Sequence, residues 1–244
     1  MSNLVVMEHD LSQGELRVAA SLSHDKSMIK VFDEDGDIHL DTSLMLWPKT
    51  WYSFDEAEQK RLRVLAKTCS FGLLYGLGDK GLVKYCMEND PPVYITLQEA
   101  RRIRSTVLGG RIELNQWLEN TREFAMKNGY TQNLFNQRRY FPDLKSKDEY
   151  VVEDNLKAAI NMPIQGTLAV IVKAIMIEVE KKFPGYMRLQ VHDSLFGYVL
   201  LEKVKEIGES IQKIMVDTAE FYTGVKFKVD WKYGKSWGEL HNEL

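Results

Sequence analysis

Asp10-Leu-Ser-Gln-Gly-Glu-Leu-Arg17 follows the apolar run Leu4-Val5-Val6-Met7, and its reading decides how the rest of the chain is understood. An apolar run over 3–9 predicts a short buried strand, and Leu16, Val18, Ala19, Ala20 and Leu22 predict a helix over 13–23. Between them, Asp10 is expected at the edge of a sheet, free to hold a metal rather than be buried. A second acid stands in a similar place within Arg188-Leu-Gln-Val-His-Asp-Ser-Leu-Phe196. Residues 187–192 and 195–200 alternate like strands, which puts Asp193 in the tight turn of a hairpin. Two such aspartates from distant segments are what two-metal phosphoryl transfer needs, with the ions about 3.5–4 Å apart. Mg²⁺ suits them, because it takes one or two protein carboxylates plus substrate phosphates.

The chain has 244 residues and a net charge of −3. That charge is unevenly spread. Residues 56–147 hold 16 basic and 10 acidic residues, a net of +6, and the remainder carries −9. A basic middle between acidic ends fits a phosphate-binding face beside a metal-binding one, although solvated helices would give the same count. No apolar run approaches the roughly 20 residues of a membrane span, so no membrane partner is expected. The amino terminus lacks the marks of a signal peptide. Cys69 and Cys86 have no metal-ligand spacing and suit a reducing compartment, so the expected location is the cytoplasm, of a bacterium or a phage-infected host.

Asp25 is expected to cap a helix over 26–34 that Gly36 ends. Ser53 or Asp55 begins a long helix to about Tyr75, and Pro91-Pro92 marks a loop. Thr96 and Glu99 form a capping box for a helix to about Leu108. Another helix covers 112–127, followed by an irregular basic segment over 130–147. Residues 152–182 read as helical, with Pro163 kinking or locally breaking them. A helix over 202–222 and a strand over 226–231 complete an α+β arrangement, one sheet interrupted by a helical insertion.

Arg63, Lys67, Phe71 and Tyr75 recur every fourth residue and form one stripe of the long helix. Alone, the stripe fits either a nucleotide grip or two core aromatics beside two solvated cations. Gly76-Leu-Gly-Asp-Lys-Gly81 matches G-x-G-x-x-G formally, but follows a helix rather than the strand that a dinucleotide site requires.

Asp10 to Arg17, Arg63-Val-Leu-Ala-Lys67 with Phe71-Gly-Leu-Leu-Tyr-Gly76, and Gln190-Val-His-Asp193 together resemble the three signature motifs of A-family DNA polymerases, the bacterial DNA polymerase I type. Asp37-Ile-His39, Gly129-Tyr130, Arg138-Arg139-Tyr140-Phe-Pro-Asp143 and Asn161-Met-Pro-Ile-Gln-Gly-Thr167 also resemble family segments, in the family's order. The resemblance runs from residue 3 to about 238. It implies an antiparallel palm sheet with an inserted helical fingers subdomain: palm over 1–45 and 151–244, fingers over 46–150. The implied activity is template-directed 5′–3′ DNA synthesis from dNTPs on a primer–template.

The resemblance also implies roles. Asp10 and Asp193 hold two Mg²⁺ ions, for which Mn²⁺ can substitute. Arg63 and Lys67 neutralise triphosphate charge, with Lys67 a proton donor to pyrophosphate. Gln13 and His39 add phosphate or sugar contacts. Phe71 packs on the incoming nucleotide, Tyr75 stacks at the template position, and Glu15 is the steric gate against a ribose 2′-hydroxyl. Arg138 or Arg139, Lys157, Asn161, Gln165, Gln190 and His192 contact DNA, several through the minor groove, where acceptors hardly vary between base pairs.

Departures from the family pattern carry expectations too. Gly14 replaces a bulky aliphatic residue and predicts a roomier nucleotide pocket. Ser194 replaces the acid that usually follows the second aspartate, without loss of activity. Met1 stands almost directly before the first strand, where the family has a thumb and often an exonuclease. The expectation is a split polymerase, as phages sometimes encode, completed by an N-terminal polypeptide that carries the thumb. A palm strand edge is then left unpaired.

Overall fold

Alternation along Leu4–Leu11 gives a strand two unlike faces, and in the computed structural model, which describes residues 3–90 and 92–241, this segment is β1. Val5, Met7, His9 and Leu11 are buried, while Val6, Glu8 and Asp10 line the half-buried face. Further strands are β2 (Tyr130–Gln132), β3 (Arg138–Tyr140), β4 (Met187–Val191), β5 (Ser194–Leu200) and β6 (Val229–Gly234). The helices are α1 (Gly14–Ser23), α2 (Lys26–Asp33), α3 (Ile38–Leu46), α4 (Glu56–Leu74), α5 (Asp79–Glu88), α6 (Leu97–Gly110), α7 (Ile112–Asn128), α8 (Glu149–Lys182) and α9 (Val204–Thr223). The fold is α+β, as the sequence predicts.

The chain divides into two compact units, residues 1–18 with 165–244 and residues 19–164. The first unit holds an antiparallel sheet in the order β4-β5-β1-β6. Its inner face packs on α9, whose Ile211, Met215 and Ala219 are buried. Asp10 pairs with Ser194 on one side and with Asp230 on the other. Thus Asp10 lies inside the sheet, near the end of a central strand, rather than at an edge. The outer position on one side belongs to β4, and no strand covers it among the described residues.

Behind Asp10, His9 is wholly buried. Its Nε2 lies 3.1 Å from the Gly208 carbonyl, its Nδ1 3.4 Å from the Tyr186 hydroxyl, and its ring stacks on Trp231. This suits a neutral imidazole that donates from Nε2 and accepts at Nδ1. Close approach explains two glycines here: a Cβ at Gly197 would meet the Tyr186 ring at 2.5 Å, and one at Gly208 would meet Trp231 at 3.1 Å.

The second unit is helical. Asp25 caps α2 through the Met28 N–H and also accepts from the Leu114 N–H at the start of α7. Arg111, between α6 and α7, is buried and donates to Asp41, Ser27 and Thr42. Asp55 caps α4, and the Thr96–Glu99 capping box opens α6. Gly129 ends α7 in the left-handed conformation. Of the two residues read as a loop, Pro92 is irregular and Pro91 lies outside the described residues.

Several elements differ from the sequence reading. Helices α3 and α5 are additional; both are short, and glycines or polar residues interrupt their periodicity. The segment 130–147 is not irregular, because β2 and β3 pair as a hairpin. Strand β6 begins three residues later than expected. Most instructive, α8 runs through Pro163 unbroken. Proline cannot bond the carbonyl four residues back, which belongs to Ala159. The buried Thr131 hydroxyl donates to that carbonyl at 2.9 Å, so β2 replaces the missing partner. Helix α8 is also long and apolar enough to cross a membrane by length and composition, although Asn161, Gln165 and Lys173 interrupt any continuous apolar run. Its Leu156, Ile160, Ile164, Ile171, Ile175 and Val179 are buried in the protein instead.

Burial lowers the His9 pKa from 6.5 to about 4, against the raising effect of its bond to Gly208. Its contribution to stability is therefore complete above pH 6.5 and is lost as pH falls through about 4. Chemical denaturation of wild type and His9→Gln across this window should show the difference between them shifting by about 3 kcal/mol against wild type. A difference independent of pH would contradict the assignment of a neutral buried imidazole.

Candidate active site

In the first unit, strand register brings the two acids together. Asp193 lies in the two-residue turn between β4 and β5, beside Ser194, and Ser194 is the cross-strand partner of Asp10. Burial raises the Asp193 pKa to about 6, and repulsion from Asp10 adds to the shift; a backbone hydrogen bond opposes it, Glu15 adds a lesser rise and His192 a lesser lowering. A carboxylate destabilised by burial and by a like charge is one that a divalent cation would relieve. No group of three or more His, Cys, Asp or Glu is arranged to hold a metal among the described residues. Asp10 and Asp193 offer two carboxylates, a donor pair that would suit Mg²⁺ with substrate phosphates completing its shell.

Backbone strain flanks both acids. Gln13 (φ 59°) and His192 (φ 53°) adopt left-handed conformations, which are costly for residues with side chains. Glu15 sits in the first turn of α1 and accepts from Gln165 Nε2 of α8 at 3.3 Å. Gln190, on β4, donates to the His192 carbonyl across the turn.

In the second unit, α4 turns Leu62, Leu65, Ala66, Cys69 and Leu73 inward, while Arg63 and Lys67 are exposed. Phe71 and Tyr75 are half-buried, with ring centroids 6.4 Å apart. The stripe is therefore not a core seam. His39, in the first turn of α3, faces Phe71 at 6.0 Å. Arg63 donates to Asp37 through Nε at 3.1 Å and through a terminal nitrogen at 2.5 Å. Burial alone would raise the Asp37 carboxyl, but Arg63 and the N–H groups of His39 and Leu40 together hold it below the usual range. Burial lowers the His39 pKa to about 4; Asp37 opposes this, while Arg63, Lys67 and Arg111 reinforce it. A neutral imidazole among three cations is an electropositive setting suited to an anion.

The other predicted DNA contacts lie in the same unit. Arg138 and Arg139 are exposed on β3, with guanidinium groups over the Tyr130 and Phe141 rings. Lys157 and Asn161 lie on α8, Lys157 within 3.8 Å of Asp154.

Three buried side-chain atoms lack a hydrogen-bond partner among the described residues: Gln13 Oε1, His39 Nδ1 and Asn161 Oδ1. Each belongs to a residue expected to touch nucleotide or DNA. An unpaired buried polar group costs about 1–3 kcal/mol, so each of these positions carries a local cost in stability.

The family model of DNA polymerase family A matches residues 1–239. The chain belongs to that family. It is 34% identical over 238 residues to the thermostable DNA polymerase I of Thermus aquaticus, covering 93% of this chain and 26% of that protein. It is 30% identical over 243 residues to DNA polymerase I of Borreliella burgdorferi, covering 97% of this chain and 25% of that one. The chain thus spans about a quarter of the length of these relatives. Among solved structures it resembles the POL domain of Pol1 from M. smegmatis in complex with DNA primer-template and dNTP. There the TM-score is 0.80 and the identity 31%, over 96% of this chain and 40% of that chain.

Two contacts near the acids lay beyond the sequence reading. Arg17 is buried and donates to the Ser12 carbonyl at 2.9 Å and to the Lys226 carbonyl, fixing the start of α1. An arginine two residues after Glu15 on an otherwise apolar helix was its only signal. Ser194 donates its hydroxyl to Asp10 Oδ2. The roomier pocket expected at Gly14 also needs revision. A Cβ there would lie 3.1 Å from Leu168 and 3.3 Å from Asp193 Oδ2, so the space is filled. Gly14→Ile should therefore displace Leu168 or Asp193 and lower activity, and Leu168→Ala in the same chain should restore part of it. Steady-state kinetics of the single and double variants checks this; full activity of Gly14→Ile alone would contradict it.

Proposed function

We propose that this chain performs template-directed 5′–3′ nucleotidyl transfer on DNA, as the palm and fingers portion of a family A polymerase. The observation that carries this reading is the strand register that sets Asp10 beside Asp193, whose carboxyl burial and the Asp10 charge raise to about 6. Residues 1–45 and 151–244 would serve as palm and residues 46–150 as fingers. Two Mg²⁺ ions, or Mn²⁺ in their place, held by Asp10 and Asp193 would lower the pKa of the primer 3′-hydroxyl and neutralise triphosphate charge.

The remaining work falls to side chains. Arg63, Lys67 and His39 bind the triphosphate, and Lys67 gives its proton to the departing pyrophosphate. Gln13 contacts phosphate or sugar. Phe71 packs on the incoming sugar and base, and Tyr75 holds the template position. Glu15, steadied by Gln165, occupies the space a ribose 2′-hydroxyl would need. Arg138, Arg139, Lys157, Asn161, Gln190 and His192 contact the primer–template. Full activity is proposed to need a thumb-bearing polypeptide that grips the duplex. The proposed setting is the cytoplasm, in keeping with two free thiols.

The test is primer extension by the chain together with a thumb-bearing polypeptide, comparing wild type with Asp193→Asn. The variant should lose about a hundredfold to a thousandfold in rate, the scale of removing a principal electrostatic contact. Extension by Asp193→Asn at the wild-type rate would reject the assignment.

A further inference from the structure

We propose that Ser194 is a positioning residue for Asp10: its hydroxyl holds one carboxylate oxygen so that the other, Oδ1, is presented to a metal ion. This rests on the polymerase reading above and concerns how this chain builds the cradle.

Ser194 couples both acids. Its backbone is joined to Asp193, and its side chain donates to Asp10 Oδ2. The antiparallel register makes Asp10 and Ser194 direct partners, so their side chains emerge on the same face of the sheet. Ser194 is 7% exposed, which leaves its hydroxyl little competition from solvent. A hydroxyl has one proton to give, and a carboxylate accepts at either oxygen, so this bond distinguishes two otherwise equivalent atoms. On the other side of Asp10, Asp230 is held by the Ser12 hydroxyl at 2.6 Å. Each acid of this row therefore has its own serine.

The charge balance points the same way. Asp10 already has Asp230 as its cross-strand partner on one side. An acid at position 194 would place a further negative charge on the other side, whereas serine adds none and supplies a donor. The cradle thereby trades electrostatic attraction for a fixed carboxylate orientation. Groups that orient a metal-ligating carboxylate typically affect metal affinity by about 10–100-fold.

The experiment is titration of the metal-free chain with Mn²⁺ alone, followed by electron paramagnetic resonance, without DNA or nucleotide. Wild type is compared with Ser194→Ala, Ser194→Thr and Asp10→Asn. Ser194→Ala should weaken binding by about tenfold, and Ser194→Thr, which keeps the hydroxyl, should recover most of it. Asp10→Asn should abolish the site. Thermal melting in EDTA separates these effects from unfolding, and if Ser194→Ala fails to fold, Ser194→Cys, which lacks a strong donor, takes its place. Equal affinity in folded wild type and Ser194→Ala overturns the positioning role while leaving the polymerase reading intact. Affinity in Ser194→Thr as low as in Ser194→Ala also overturns it. A wild-type chain that binds no Mn²⁺ also overturns the positioning role, whereas the polymerase reading stands or falls on the primer-extension comparison with Asp193→Asn.

Discussion

Two carboxylates that repel one another are held side by side by the hydrogen-bond register of a β-sheet, and the rest of the first unit serves that juxtaposition. Strand β1 carries Asp10 in the middle of the sheet, and the β4–β5 turn delivers Asp193 one residue from the partner of Asp10. Behind them, His9, Tyr186, Trp231 and the glycines at 197 and 208 form a tightly packed layer. Its rigidity matters, because a β-register slip of one residue would turn Asp10 into the core. Stability is sacrificed locally: the raised pKa of Asp193 and the left-handed backbones of Gln13 and His192 all oppose folding. Such costs concentrate where a ligand later offsets them.

The second unit shows the complementary pattern. Its cations stand exposed on α4, around a neutral His39, while a buried Arg111 with Asp25 and Asp41 ties α2, α3 and α7 together. Burying Arg111 charged is tolerable only because its hydrogen bonds and nearby carboxylates offset desolvation. One set of charges is thus spent on holding the helices, and the other is left facing outward. Within residues 56–147, Arg111 is buried in a structural network, whereas Lys67 stands exposed on α4.

Much of this was legible in the sequence because the relevant signals are local. Alternation in Leu4–Leu11, the Asp25, Asp55 and Thr96 caps and the hairpin turn at Asp193 each depend on a few neighbouring residues. What could not be read depends on contacts between distant segments. Pro163 suggested a break because nothing nearby reveals that Thr131 bonds the Ala159 carbonyl. Gly14 suggested empty space because Leu168 is far away in sequence. Ser194 looked like a simple loss of an acid, since its bond to Asp10 exists only across a strand pairing. Position Asp10 was anticipated as exposed at an edge because β6, its second neighbour, lies more than two hundred residues later.

The central claim is that Asp10 and Asp193 share one electrostatic environment. Carbon-13 NMR titration of aspartate-labelled, metal-free protein tests it most directly. The Asp193 carboxyl should titrate at about 6 in wild type and move toward the ordinary carboxylate range in Asp10→Asn. An Asp193 midpoint that ignores the Asp10→Asn change would contradict the account.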